Sequence, residues 1–251
     1  MIEREIFKNG LCLLTESMPD VRSVSIGAWL NRGSRHENPD HLGIAHFVEH
    51  MLFKGTTKRT AEDIAQEIDS LGGHLDAFTA KECASYYVKV LDEHLPRAVD
   101  ILSDLLLHPT FDADDIEKEK KVVIEEIKMV EDTPDDLLYE LFTASFWPDH
   151  ALGRPILGTV DSVSRFDAAS LRDYFESAYA AENFVVAAAG NIQEGAIPGL
   201  VRGAFDAMPA RKGTVETREP RVAVHLDMHD KDLEQSHICL GTCSYSQGHK
   251  D

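Results

Sequence analysis

Alternating apolar and polar positions in the first third of the chain predict a β-sheet with one buried face. Two short strands are predicted within residues 4–16, joined at Asn9-Gly10, a dipeptide that accepts the positive φ angles of a tight hairpin turn. A third strand is predicted from Val21 to Leu30, where every second residue is apolar. Two runs rich in aromatic and β-branched residues and one buried apolar run predict further strands at 74–80, 83–91 and 184–189.

Apolar positions spaced three and four residues apart predict the helices that cover this sheet. The helix after the third strand has Asp40 as its candidate N-cap and is expected to stop near Gly55. The next helix opens on a capping-box-like pattern at Thr60 and ends before Gly72. Further helices are predicted at 96–107, 112–132, 134–146, 167–180 and 193–207. Because strands and helices do not alternate singly, the pattern favours an α+β fold with helices packed on one face of a mostly antiparallel sheet.

The segment between Pro209 and Pro220 is polar and short of apolar residues, which is typical of a linker. We therefore expect three parts: a domain at 1–208, a linker at 209–221 and the start of a second domain at 222–251. The last part contains two strand-like runs, Val222 to Met228 and His237 to Thr242. No element follows that could cover them.

The bulk composition indicates a folded protein with an acidic surface. A chain of 251 residues, 43% of them hydrophobic, can bury a proper core. Its 44 acidic and 25 basic residues give a net charge of −19, which disfavours nucleic acid and anionic membrane as partners. An acidic field would attract cationic peptides, although a solvated acidic surface explains the same charge equally well.

The cysteines and the N-terminus favour a cytoplasmic protein. The four cysteines form neither a C-x-x-C pair nor a dense disulfide framework, so reduced thiols are expected. The first residues lack a charged segment followed by an apolar run, and no uncharged apolar stretch is long enough to span a bilayer.

The strongest chemical pattern is the sequence His46-Phe47-Val48-Glu49-His50. On a helix, positions 46, 49 and 50 share one face, so two imidazoles and a carboxylate project together. Neutral imidazole suits zinc, and a nearby carboxylate can activate a zinc-bound water. This order, H-x-x-E-H, is the inverted form of a zinc hydrolase motif.

A zinc ion held by two histidines needs at least one more protein ligand. On the helix predicted at 112–132, Glu119 and Glu126 lie on the flank of the apolar face, whereas Glu125 points nearly the opposite way. Carboxylates beside an apolar stripe are costly to bury unless they are paired, hydrogen-bonded or bound to metal. Glu126 is therefore the preferred third ligand, and Glu119 a carboxylate that orients a ligand histidine or binds nearby. Without Glu126, the two histidines could simply be polar residues on a core-facing helix.

With these residues in place, the chain resembles the pitrilysin-type (M16, inverzincin) zinc metallopeptidases, in particular their mitochondrial-processing-peptidase-like branch. The resemblance rests on residues 46–56 and on Glu126, which lies 126 − 50 = 76 positions after the second histidine. Further similar stretches are 77–82, 153–158 and the pair Gly190-Asn191. The match runs continuously from residue 1 to about 210.

The resemblance implies a role for each residue of the pattern. His46, His50 and Glu126 would bind one zinc ion, Glu49 would be the general base, and Glu119 the auxiliary glutamate seven residues before the third ligand. The implied reaction is peptide-bond hydrolysis without a covalent enzyme intermediate, which agrees with the chemistry of the residues themselves.

The resemblance also suggests substrate contacts. Relatives bind peptide as an extra strand at a sheet edge near the zinc, so Phe78 and Thr79 are expected contact positions. Asp136 and Glu140, one helical turn apart, are similar in placement to an acidic pair that holds a basic substrate residue. A structural alternative is equally simple, because acidic residues after Thr133-Pro134 also complement a helix N-terminus.

Three functions remain open from the sequence. The preferred one is the zinc-bearing half of a metalloendopeptidase that acts on peptides or unfolded segments. The second is a non-catalytic docking or assembly subunit of the same family, although such members usually have a degraded zinc motif. The third is a zinc hydrolase of another substrate class.

Family members pair two similar repeats into a clamshell around the substrate. By that resemblance, residues 222–251 begin a second, truncated repeat, and a C-terminal half or homologous subunit would complete the enzyme. We therefore expect exposed apolar surface, dimerisation and weak activity for this chain alone.

Overall fold

The computed structural model describes residues 1–193, 195–210, 218–246 and 248–250. Its strands are β1 (Ile2–Ile6), β2 (Cys12–Ser17), β3 (Ser23–Leu30), β4 (His74–Thr79), β5 (Ala84–Leu91) and β6 (Phe184–Gly190). Its α-helices are α1 (Ile44–Leu52), α2 (Ala61–Ser70), α3 (Leu95–Leu107), α4 (Ala113–Asp132), α5 (Pro134–Phe146), α6 (Val160–Ser164), α7 (Ala168–Ala178) and α8 (Ala196–Phe205).

The described residues form a six-stranded sheet in the order β1-β2-β6-β3-β5-β4. All neighbouring strands are antiparallel except β2 and β6, which run parallel. The predicted hairpin joins β1 to β2, and Gly10 in its turn has a φ of 93°. The predicted α+β fold with a mostly antiparallel sheet is confirmed.

One face of the sheet carries the hydrophobic core. In β3, alternate side chains from Val24 to Leu30 are at most 1% exposed, as the alternation predicted. Three helices cover this face, with α1 and α2 against β4 and α3 against β3 and β5. On the opposite face, Trp29 is 38% exposed and lies over Gly27, where a Cβ would come within 2.8 Å of its ring. These three helices therefore pack on one side, and α1 lies next to the edge strand β4.

The start of α1 differs from the prediction. Asp40 is not its N-cap but lies in a short 3₁₀ turn, and the N-cap position is Gly43 with a φ of 86°. This left-handed conformation favours glycine. By contrast, Thr60 caps α2 through the predicted capping box, in which its hydroxyl accepts from the N–H of Asp63.

Two other differences are small. The third strand begins at Ser23 rather than Val21, and the helix α6 was not predicted from the sequence. α6 has only five residues, so it shows too few apolar positions to establish a helical period.

The two strands predicted near the C-terminal end are wrong for the residues that the structure describes. No strand is present within 218–246, because the alternating residues there find no other strand to pair with. Their apolar side chains are exposed at Val224, Leu226, Met228, Ile238 and Leu240, which matches the expected exposed apolar surface. The predicted linker at 209–221 falls largely on residues 211–217, which lie outside the described residues.

Among the described residues, none of the helices combines the length and apolar character that a membrane span requires.

Candidate metal centre

Two histidines on α1 and a glutamate on α4 direct their polar atoms at one point. The Nε2 atoms of His46 and His50 lie 3.2 Å apart. Oε2 of Glu126 lies 3.6 Å from Nε2 of His50 and 3.9 Å from Nε2 of His46. All three ligand atoms lie within 4.8 Å of one another, so a single ion could contact all of them.

The residues at this point fit a zinc ion. Oε2 of Glu126 is buried and has no hydrogen-bond partner among the described residues, which is costly for a carboxylate oxygen. Two imidazole nitrogens and one carboxylate oxygen are a ligand set that catalytic zinc sites use, with a fourth position left for water or substrate. A bound cation would satisfy the unpaired oxygen.

The second carboxylate on α4 contacts the other ring nitrogen of a candidate ligand. Oε1 of Glu119 lies 2.8 Å from Nδ1 of His50, and its Oε2 lies 2.6 Å from Nζ of Lys54. Burial would raise the pKa of Glu119, but the hydrogen bonds with His50 and Lys54 outweigh burial and lower it. Glu125 lies on the other side of the helix, where it pairs with Lys128. The direction in which each side chain leaves α4 thus separates Glu119 and Glu126, which reach the site, from Glu125, which does not.

The two histidines have different electrostatic surroundings. Burial and the charge of His50 lower the pKa of His46 to about 3, so this ring is neutral at neutral pH. Burial would also lower the pKa of His50, but the hydrogen bond with Glu119 and the charge of Glu126 raise it overall. Metal binding needs neutral imidazole, so an ion must displace the proton that these carboxylates favour on His50.

Glu49 lies on the same helix beside the histidines. The hydroxyl of Thr79, the last residue of β4, donates a hydrogen bond to its Oε2. Burial raises the pKa of Glu49, while the Thr79 hydrogen bond and the charge of His50 act in the opposite direction. A carboxylate with a raised pKa is better suited to take and return a proton at neutral pH.

The sequence predicted substrate contacts at Phe78 and Thr79, and both lie on the edge strand β4. Among the described residues, β4 pairs only with β5, so no strand covers its other edge. Phe78 is 46% exposed, whereas the hydroxyl of Thr79 is already engaged by Glu49. The open strand edge therefore begins directly beside the carboxylate of Glu49.

The predicted acidic pair on α5 has a positive neighbour in the chain itself. Burial raises the pKa of Glu140, the charge of Lys81 opposes this shift and that of Asp136 adds to it. Nζ of Lys81 donates to the carbonyl oxygen of Arg154. A basic substrate residue at this pair would therefore have to compete with Lys81.

The residues that hold the start of α1 were not predicted from the sequence. A Cβ on Gly43 would lie 2.4 Å from the carbonyl oxygen of Leu157, and one on Gly158 would lie 2.3 Å from that of Leu42. The hydroxyl of Ser162 donates to the same Leu42 oxygen over 2.7 Å. Residues 153–158, one of the stretches that resemble the peptidase family, thus end in close contact with the backbone at the N-terminus of α1.

Lys54 was also missed as the partner of Glu119. It follows His50 by four residues, and on the helix that the sequence predicted to stop near Gly55 this spacing places two side chains on one side. In the structure α1 ends at Leu52, and Lys54 lies just beyond it. That spacing was the available sequence signal.

Comparison with known proteins then identifies the family. The family model described as insulinase, peptidase family M16, matches residues 12–160, and the model described as the peptidase M16 inactive domain matches residues 165–251. The chain belongs to peptidase family M16. A relative named as the uncharacterized zinc protease YmxG of Bacillus subtilis is 42% identical over 250 residues, covering 100% of this chain and 61% of the relative.

Other proteins share less sequence or only the fold. A relative from Streptomyces coelicolor, also named as an uncharacterized zinc protease, is 40% identical over 248 residues, covering 96% of this chain and 54% of the relative. The crystal structure of a protease from Helicobacter pylori superposes with a TM-score of 0.83 at 20% identity, covering 89% of this chain and 54% of that one. This M16 chain therefore spans somewhat more than half the length of each of these three proteins.

Proposed function

We propose that the chain is the N-terminal, zinc-bearing half of an endopeptidase from the mitochondrial-processing-peptidase-like branch of family M16. Its substrates would be peptides or unfolded segments. The observation that carries the proposal is the convergence of His46, His50 and Glu126 on one point, with Glu49 on the same helix. The names of the relatives as zinc proteases support the same choice of metal.

In this proposal His46, His50 and Glu126 hold one zinc ion, and Glu119 orients the ring of His50. A zinc ion bound there would polarise a peptide carbonyl and lower the pKa of a water molecule. Lys54 keeps Glu119 ionised, so that Glu119 remains a strong acceptor for Nδ1 of His50.

Glu49 is the general base of the proposed reaction. Its carboxylate takes a proton from the attacking water and later delivers it to the amine that leaves when the peptide bond breaks. The hydrogen bond from Thr79 fixes one carboxylate oxygen and so orients the side chain. The same strand edge that carries Thr79 would align the peptide.

The proposed substrate lies along β4 as an additional strand. Main-chain hydrogen bonds of this kind bind peptides with little demand on their sequence. Phe78 would contact a substrate side chain from the exposed side of the strand. Asp136 and Glu140 would favour a basic residue, in competition with Lys81.

The proposed enzyme needs a second half, because the chain covers 61% and 54% of the two relatives compared above. That half could be a C-terminal repeat or a homologous subunit in a dimer, and in the proposal it supplies contacts that grip the peptide. The cytoplasmic location expected from the sequence stays a prediction.

Matched substitutions on α1 and α4 test the proposal. Glu49→Gln should retain one zinc ion per chain and abolish cleavage of a peptide library, measured with and without a C-terminal half. Glu126→Gln should lose zinc, whereas Glu125→Gln, on the opposite side of α4, should behave like wild type. Retained turnover in Glu49→Gln would refute its role as the base. A wild-type chain without zinc would favour a docking subunit.

A further inference from the structure

A buried carboxyl group outside the motif holds the start of α1, the helix that carries His46 and His50. Glu37, in the loop after β3, is 6% exposed. Its Oε2 accepts the N–H of Gly43 over 2.9 Å, and its Oε1 accepts the N–H of Ala45 over 2.9 Å. The N-cap residue Gly43 has no side chain to make such bonds. Glu37 therefore does for α1 what a capping side chain does for other helices.

Keeping a carboxyl group at this position is costly. Burial raises the pKa of Glu37 to about 8, while the N–H groups of Ala45 and Gly43 and the charges of Lys81 and Arg154 act in the opposite direction. An apolar residue would avoid this cost but would leave two N–H groups of α1 without their acceptors.

The loop that carries Glu37 is also tied to the end of the edge strand. The N–H of Ser34 donates to the carbonyl of Ala80 over 3.1 Å, and that of Arg35 donates to the carbonyl of Lys81 over 2.7 Å. Ala80 directly follows Thr79, whose hydroxyl contacts Glu49. Residues 33–37 thus form a short connection between the peptide-binding edge and the first turn of α1.

We infer that Glu37 is a positioning residue that fixes α1 relative to β4. In this role it sets both the zinc affinity of the site and the alignment of a bound peptide. His46 follows Ala45 directly, so a shift of the first turn moves the first ligand. This inference rests on the proposed function, because it requires that His46, His50 and Glu126 bind zinc.

The test compares Glu37→Ala and Glu37→Gln with a control variant of the core. Ile197→Ala removes a buried side chain in α8, whose C-terminal end contacts Asn9 in the β1–β2 hairpin, at the opposite edge of the sheet from β4. Zinc affinity is measured by competition with a chelator, stability by urea unfolding of the metal-free chain, and kcat and KM with a peptide substrate and the C-terminal half.

Glu37→Ala should weaken zinc binding by about 10-fold or more and lower kcat more than it raises KM. Glu37→Gln keeps one acceptor oxygen and should recover part of the loss, and it carries the test if Glu37→Ala does not fold. Ile197→Ala should lose stability and keep its zinc affinity.

Wild-type zinc affinity in both Glu37 variants would overturn the inference. An equal loss of zinc affinity in Ile197→Ala would do the same, because the role of Glu37 would then be general stability. A wild-type chain that binds no zinc would overturn the proposed function and this inference with it.

Discussion

Oε1 of Glu119 lies 2.8 Å from Nδ1 of His50, the ring nitrogen that faces away from the candidate ion. A carboxylate in this position fixes the ring orientation and makes the other nitrogen a better ligand. Glu119→Gln keeps an acceptor but loses the charge, so zinc affinity should fall by about 10-fold, and Glu119→Ala should lower it further. Chelator competition measures both values. Glu125→Gln on the same helix is the control, and equal affinities in all three variants would contradict the assigned role.

The contact between Gly43 and Gly158 should be sensitive to a single methyl group. Gly158 has a φ of 77°, and a Cβ there would lie 2.3 Å from the carbonyl oxygen of Leu42. Gly158→Ala should therefore destabilise the chain by about 2 kcal/mol or more, measured by urea unfolding. Zinc affinity should fall as well, because the displaced atoms support the start of α1.

Gly203→Ala is the matched control for that substitution. Gly203 lies inside α8, and a Cβ there would meet nothing within 4 Å. Alanine should stabilise this helix by up to about 1 kcal/mol. If both alanine variants changed stability equally, the close backbone contact at Gly158 would not be the cause.

The metal-free chain should lose stability in acid partly through Asp104. Burial would raise the pKa of Asp104, but hydrogen bonds from Thr56 and Arg59 outweigh burial and lower it. A lowered folded-state pKa contributes stability that is present above the unfolded pKa of about 3.9 and is lost as the pH falls through the folded value. Asp104→Asn should therefore be less stable at neutral pH and should show a shallower loss of stability below pH ~4.

Urea unfolding at a series of pH values measures this dependence. Asp161→Asn provides the comparison, because Asp161 is 78% exposed in its pair with Arg165, and exposed pairs contribute little. An acid slope in Asp104→Asn equal to that of wild type would argue against the assignment.

The fold class and the direction in which the candidate ligands leave their helices could be predicted, because both follow from periodic patterns. The alternation in β3 separates buried from exposed residues. In α4, an advance of about 100° per residue places Glu119 and Glu126 on one flank and Glu125 on the other. These patterns depend on local geometry alone, so one sequence is enough to find them.

Features that depend on contacts between distant segments could not be predicted in this way. Asp40 looks like an N-cap, but the N-cap of α1 is Gly43, where the backbone of Leu157 leaves no room for a side chain. The role of Glu37 depends on a loop that folds back onto the helix. The alternation after Val222 predicts a strand only if a neighbouring strand is present, and none pairs with it among the described residues.

The acidic pair on α5 should select basic substrate residues, and Lys81 should limit that selection. Glu140→Gln should lower kcat/KM for a peptide with arginine at the contacted position by about 3-fold to 10-fold, relative to the same peptide with alanine. Lys81→Met removes the competing charge and should therefore raise kcat/KM for the arginine peptide relative to the alanine peptide. The nearby Asp135 pairs with His237, so Asp135→Asn is a matched control and should leave the ratio unchanged. If Glu140→Gln and Asp135→Asn gave the same arginine-to-alanine ratio, Asp136 and Glu140 would serve the N-terminus of α5 rather than the substrate.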